Sequence, residues 1–163
     1  MCATWTPAVR MLMNYRAGRQ IRRFRVAEFR PGGTIALASW TPEGFIGDLL
    51  RVVTRYAPPP AGVRPPVRWG NPIHLSELLA GGIGSLRAHE RGHTFRHSSA
   101  EHFADFFLTY YGPTERAAAA LDDDARAAMR ADLVALAAAA SRLPAGGPVT
   151  IDATYLEAVV VRA

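Results

Sequence analysis

The sequence predicts an α/β domain, and three observations carry that prediction. Its 163 residues and 17.7 kDa, 49% hydrophobic and 20% charged, suit one ordinary domain that buries about two thirds of its unfolded surface. A short apolar run, residues 34–40, is followed within a few residues by apolar positions at helical spacing. Beyond it, segments of strand and helix character alternate to the C-terminus, divided by Gly- and Pro-rich turns, the pattern of strands connected through helices.

Taken in order, Arg30-Pro31-Gly32-Gly33 is a turn, because Pro fixes φ and the Gly pair accepts positive φ. Residues 34–40 then form a buried strand. Thr41 is an N-cap candidate with Pro42 in the first helical position, opening a helix over 42–56. Pro58-Pro59-Pro60 ends it. Strand, turn and crossover helix make half of a βαβ unit and point to a parallel sheet. Asn71-Pro72 opens a second helix over 72–80, stopped by Gly81-Gly82. Residues 85–96 alternate as a strand. Ser98 and Glu101 have capping-box spacing ahead of a helix over 99–111, which Gly112-Pro113 breaks. Helices over 114–121 and 123–142 follow, the second opened by the Asp122-Asp123-Asp124 run, where the helix dipole favours anions. A closing strand covers 155–162.

The charge is unevenly placed. All nineteen basic residues are Arg. Seven lie in the first thirty residues against the single acid Glu28, a net +6, while residues 31–163 carry twelve Arg against thirteen acids, a net −1. Residues 1–26 therefore read as a basic, poorly ordered leader ahead of a near-neutral domain over 27–163. A basic arm that contacts nucleic-acid phosphates is the rival reading of the leader. No apolar run reaches the ~18–20 residues of a membrane-spanning helix. The single Cys2 excludes an intramolecular disulfide framework and suits a reducing cytoplasm.

The clearest metal pattern is His89-Glu90-Arg91-Gly92-His93, which fits the zinc-hydrolase spacing H-E-x-x-H. That chemistry needs a helix to bring both imidazoles to one face, and Gly92 opposes one. On a strand, His89, His93 and His97 share a face at intervals of about 13 Å, too far apart to hold one ion. The aromatics are more informative. Trp40 ends a strand, and Phe45, Trp69, Tyr110 and Tyr111 lie at element ends or in loops, where flat side chains line apolar pockets.

The ordered series from Phe29-Arg30-Pro31-Gly32-Gly33 through Trp40-Thr41-Pro42 resembles class I S-adenosylmethionine-dependent methyltransferases, most closely the small-molecule branch labelled type 11 or type 25. The likeness continues through Trp69-Gly70, Thr94-Phe95-Arg96, Ala100-Glu101-His102-Phe103, Tyr110-Tyr111-Gly112-Pro113 and Tyr155-Leu156-Glu157. It covers residues 27–163 and implies the C-terminal part of a Rossmann-like sheet: about three strands with flanking helices. The first strand would be parallel to its neighbours, and the last antiparallel and inserted between the other two. The implied function is methyl transfer to a small organic acceptor, with Trp40, Phe45, Trp69, His102, Tyr110 and Tyr111 lining the acceptor pocket and no catalytic residue assigned.

The resemblance also implies an absence. The glycine-rich loop and acidic strand end that hold S-adenosylmethionine in that family have no counterpart in residues 1–163. The sequence therefore reads as the acceptor half of such an enzyme, as a truncated or frameshifted reading frame would give. It would not bind the cofactor alone. Such a chain would depend on a separate N-terminal fragment or self-associate.

Overall fold

The structure is a computed structural model that describes residues 30–163; the basic leader and its nucleic-acid reading lie outside the described residues. The element order is β1 (Thr34–Trp40), α1 (Phe45–Tyr56), a 3-10 segment (Pro66–Gly70), α2 (Pro72–Leu79), β2 (Ile83–His97), α3 (Ala100–Tyr110), α4 (Gly112–Ala119), α5 (Asp123–Ala140) and β3 (Val149–Arg162). Among the described residues the fold is α/β: a three-stranded sheet with flanking helices.

The sheet order is β1-β3-β2, and β3 is antiparallel to both neighbours. The crossover from β1 through the helices does return a parallel strand, β2. The C-terminal strand separates the two, so no neighbouring pair among the described strands is parallel. That corrects the parallel-sheet expectation for β1, whereas the last strand is antiparallel and central as expected.

Helix starts are set by side chains that satisfy the first free N–H groups. Asn71 accepts from His74 N at 2.9 Å and Asp122 from Ala125 N at 2.8 Å. The cap of α3 is Ser99, which accepts from His102 N at 3.1 Å, so the Ser98 capping box is corrected by one residue. Ser98 Oγ instead meets His102 Nδ1 at 2.9 Å. Helix α1 starts at Phe45 with Gly44 as its cap residue, not at Thr41. Thr41 is held to the sheet, its N–H and its hydroxyl both donating to Thr154 O at 3.0 and 3.1 Å. Gly112-Pro113 begins α4 as well as ending α3, because Pro needs no N–H partner in a first turn.

β3 begins at Val149, six residues before the expected start, and this extension divides the sheet. β1 pairs only with residues 155–161 of β3, while β2 pairs along the whole strand. Val149, Ile151 and Ala153 are buried under α1, α3 and α5 in a core with Phe45, Leu49, Phe103, Phe107, Met129 and Leu133. Leu156, Ala158 and Val160 project to the opposite face and pack with Ile35, Leu75 and Leu79. The sheet thus has a two-stranded end covered on one face and a three-stranded end covered on the other.

Candidate functional site

Trp40 is the last residue of β1 and faces Tyr155 across the β1–β3 pairing. Its ring centroid lies 5.9 Å from Tyr155, 6.0 Å from His93 and 5.8 Å from Phe95. His93 and Phe95 are two residues apart on β2 and so share a face, with rings 4.6 Å apart. Phe95 in turn contacts Phe45 and Phe103, which meet edge to face at 5.4 Å. Trp40, Phe95 and Tyr155 are half-buried, His93 is exposed and Phe45 is buried. The result is an aromatic patch at the carboxyl end of β1, anchored below by a phenylalanine core and open above. Such a surface can stack a planar apolar molecule, and His93 offers a hydrogen-bonding group at its rim.

The backbone beneath Trp40 is fixed by close approach. A Cβ on Gly70 would lie 2.0 Å from Trp40 O, so only glycine lets the 3-10 segment pass there. Trp69, beside it, packs against the second core on the other face of the sheet.

The six aromatic and histidine candidates are therefore not gathered in one pocket. Trp40 and Phe45 join through Phe95. Tyr111 packs at a tilt against Phe107, ring centroids 5.2 Å apart, and burial raises its hydroxyl pKa. Tyr110 is 73% exposed and touches Phe106 at 5.0 Å, on the outer side of α3. His102 belongs to a second group, its ring 5.2 Å from His97, which also contacts Phe103 and Phe106. Burial, then the neighbouring His102, lowers the His97 pKa, and His97 Nδ1 is buried without a hydrogen-bond partner.

Sequence reasoning missed His93, Phe95 and Tyr155 as site residues. Their signal was the period-2 alternation of Arg91 to Phe95, which puts His93 and Phe95 together; only the pairing with β3 brings Tyr155 to them. The H-E-x-x-H segment is wholly β-strand, so the helix required by the zinc reading is absent and that reading is corrected. Among the described residues no three His, Cys, Asp or Glu side chains are placed to share a metal ion, and no helix is long and apolar enough to cross a membrane.

Dinucleotide-binding α/β folds hold their ligand where a strand leads through a glycine-rich loop into a helix. Here Gly32-Gly33 precedes β1, and Gly81-Gly82 follows α2 and leads into β2. The one strand that does run into a helix within a short loop and is followed by a glycine, β1, passes through Thr41-Pro42-Glu43-Gly44. Its Pro42 lacks an N–H, and Thr41 gives its own to the sheet.

No family model matches the chain. It is similar to uncharacterized proteins of Mycobacterium tuberculosis and Mycobacterium bovis, each 40% identical over 114 residues, which are 67% of this chain and 41% of the relative. A second uncharacterized protein of Mycobacterium tuberculosis is 34% identical over 96 residues, 58% of this chain and 35% of the relative. The chain spans about two fifths of the length of the curated relatives it matches.

Proposed function

We propose that this chain is the acceptor-binding part of a Rossmann-like, S-adenosylmethionine-dependent methyltransferase of the cytoplasm that acts on a small organic molecule. The observation that carries the reading is the Trp40–His93–Tyr155 patch at the carboxyl end of β1, where open α/β sheets receive their ligands. The inserted antiparallel C-terminal strand supports it, being the order implied by the resemblance of residues 27–163. In this role Trp40 and Tyr155 hold the flat part of the acceptor and exclude water from it. Phe45, Phe95 and Phe103 keep those rings in place from below, and His93 meets a polar substituent at the rim. Holding an acceptor in one orientation is the main contribution a protein makes to a displacement of this kind.

Two measurements on the full chain test the reading. Calorimetry with S-adenosylmethionine is expected to show no binding in the micromolar range; tight binding would contradict the division of labour proposed. A panel of phenols, quinols and indoles, followed by the ring NMR signals of His93 and Tyr155, is expected to yield binders that Trp40→Ala abolishes. A panel that moves neither signal would remove the acceptor site.

A further inference from the structure

The aromatic patch has a charged flank. Cross-strand partners in an antiparallel pair lie on the same face of the sheet. Tyr155 has Trp40 as its partner on β1 and Arg91 as its partner on β2. The three side chains therefore form one row across the sheet: two flat rings, then a guanidinium. His93 is the next residue of β2 on that face, its ring 6.0 Å from Trp40. A planar molecule laid on Trp40 and Tyr155 thus has Arg91 and His93 along its β2 side.

Arg91 is tethered without being used up. Its Nη2 donates to Glu157 Oε1 at 3.2 Å, and the two side chains are 53% and 42% exposed. That contact engages one N–H of a guanidinium that carries five in a planar fork. The remaining donors suit a carboxylate, which accepts two parallel bonds from such a fork. An ion pair this exposed adds little to stability; its effect is to keep a long side chain on the sheet next to Tyr155. Glu157 is also the only acid that the described strands place on this face, against Arg87 and Arg91. The face beside the rings therefore carries a net positive charge.

We infer that the patch selects an aromatic acid, whose ring lies on Trp40 and Tyr155 and whose carboxylate is taken by Arg91, with His93 beside it. The inference rests on the functional reading for the patch being the acceptor site, and it adds the chemical class of the acceptor.

The test uses the full 163-residue chain and two ligands of one shape, 4-hydroxybenzoate and 4-hydroxybenzamide. Each is titrated at about pH 7.5 while the ring NMR signals of His93 and Tyr155 are followed. The acid is expected to bind at least about tenfold more tightly than the amide, the scale of a charge-assisted hydrogen bond, with a margin that shrinks as salt is raised. Arg91→Gln should bring the acid to within about threefold of the amide, and circular dichroism should stay unchanged because the side chain is more than half exposed. Arg87→Gln removes the same formal charge from the same face. It lies about 13 Å along β2 from Arg91, beyond the screening length of about 8 Å at physiological salt, so at least about a fivefold preference should survive. Equal binding of acid and amide would overturn the inference and leave the patch as a site for neutral acceptors. Equal loss of the preference in both variants would overturn it too, since the overall charge of this arginine-rich chain would then be what attracts the acid. If neither ligand moves either signal, the functional reading fails and the inference with it.

Discussion

Replacing Phe103 by alanine is the most direct check on how the aromatic patch is supported. Phe103 is fully buried. Its ring stacks on Phe107 at 4.2 Å and meets Phe45, His97 and Phe95 edge to face at 5.4, 5.2 and 6.2 Å. Truncation of a phenylalanine in such a site loses the transfer free energy of the ring and leaves a cavity, together about 3–5 kcal/mol. Phe106, three residues on, is 43% exposed. Its truncation forfeits part of the transfer term and opens no closed cavity, so about 1 kcal/mol is expected. With a urea slope of about 1–3 kcal/mol per M, Phe103→Ala should lower the midpoint by about 1–5 M and Phe106→Ala by about a third of that or less. Equal shifts for the two variants would refute the placement of the inward face of α3, and with it the support of Phe45 and Phe95.

Three further outcomes follow from local geometry. In Gly47→Ala the new Cβ would stand 2.1 Å from Pro42 O, so α1 must move away from the loop that joins it to β1; a loss of about 1–3 kcal/mol is expected in thermal unfolding. The His97 pKa is lowered by burial and by His102. The unfolded imidazole protonates first as pH falls through about 6.5, so stability should decline between pH 7 and pH 5, and His97→Phe should flatten that decline. Arg130 pairs with Asp105 through two bonds of 2.6 and 2.9 Å and lowers the Asp105 pKa. Both side chains are more than 40% exposed, so a double-mutant cycle with Asp105→Asn and Arg130→Gln should give a coupling below about 1 kcal/mol.

Much of the fold could be read from local chemistry, and the failures have a common cause. Asn71 and Asp122 announced their helices because a cap acts within three residues. β1 was legible because a short apolar run between turns has few other uses. The start of β3 was not, although Val149, Ile151 and Ala153 alternate with Thr150, Asp152 and Thr154; the polar members outweighed a period that only burial under α3 and α5 explains. Thr41 looked like a cap, but its partner Thr154 lies 113 residues away, and no local rule sees that bond. The candidate site failed in the same manner. Trp40 and Phe45 were near each other in sequence and are joined in space, whereas Tyr155 reaches them only through strand register. Trp69 reads as a loop residue of the same pocket, but it packs against the second core, on the opposite face of the sheet.

The division of the sheet also explains why the aromatic patch and an uncovered stretch of sheet are neighbours. Both lie on the face that carries Val149, Ile151 and Ala153 at one end, where helices cover it, and Val159 and Val161 at the other, where no helix among the described residues does. Trp40 and Tyr155 occupy the register position between those ends, with His93 beside them. They therefore form the rim of the covered core and face the uncovered one. Trp40→Ala should therefore abolish the response of the His93 ring signals to a bound phenol while leaving circular dichroism unchanged, because the half-buried Trp40 ring lies at the rim of the covered core and not within it. A variant that lost its circular dichroism as well would make Trp40 a core residue, and the seam between covered and uncovered sheet would not be a binding surface.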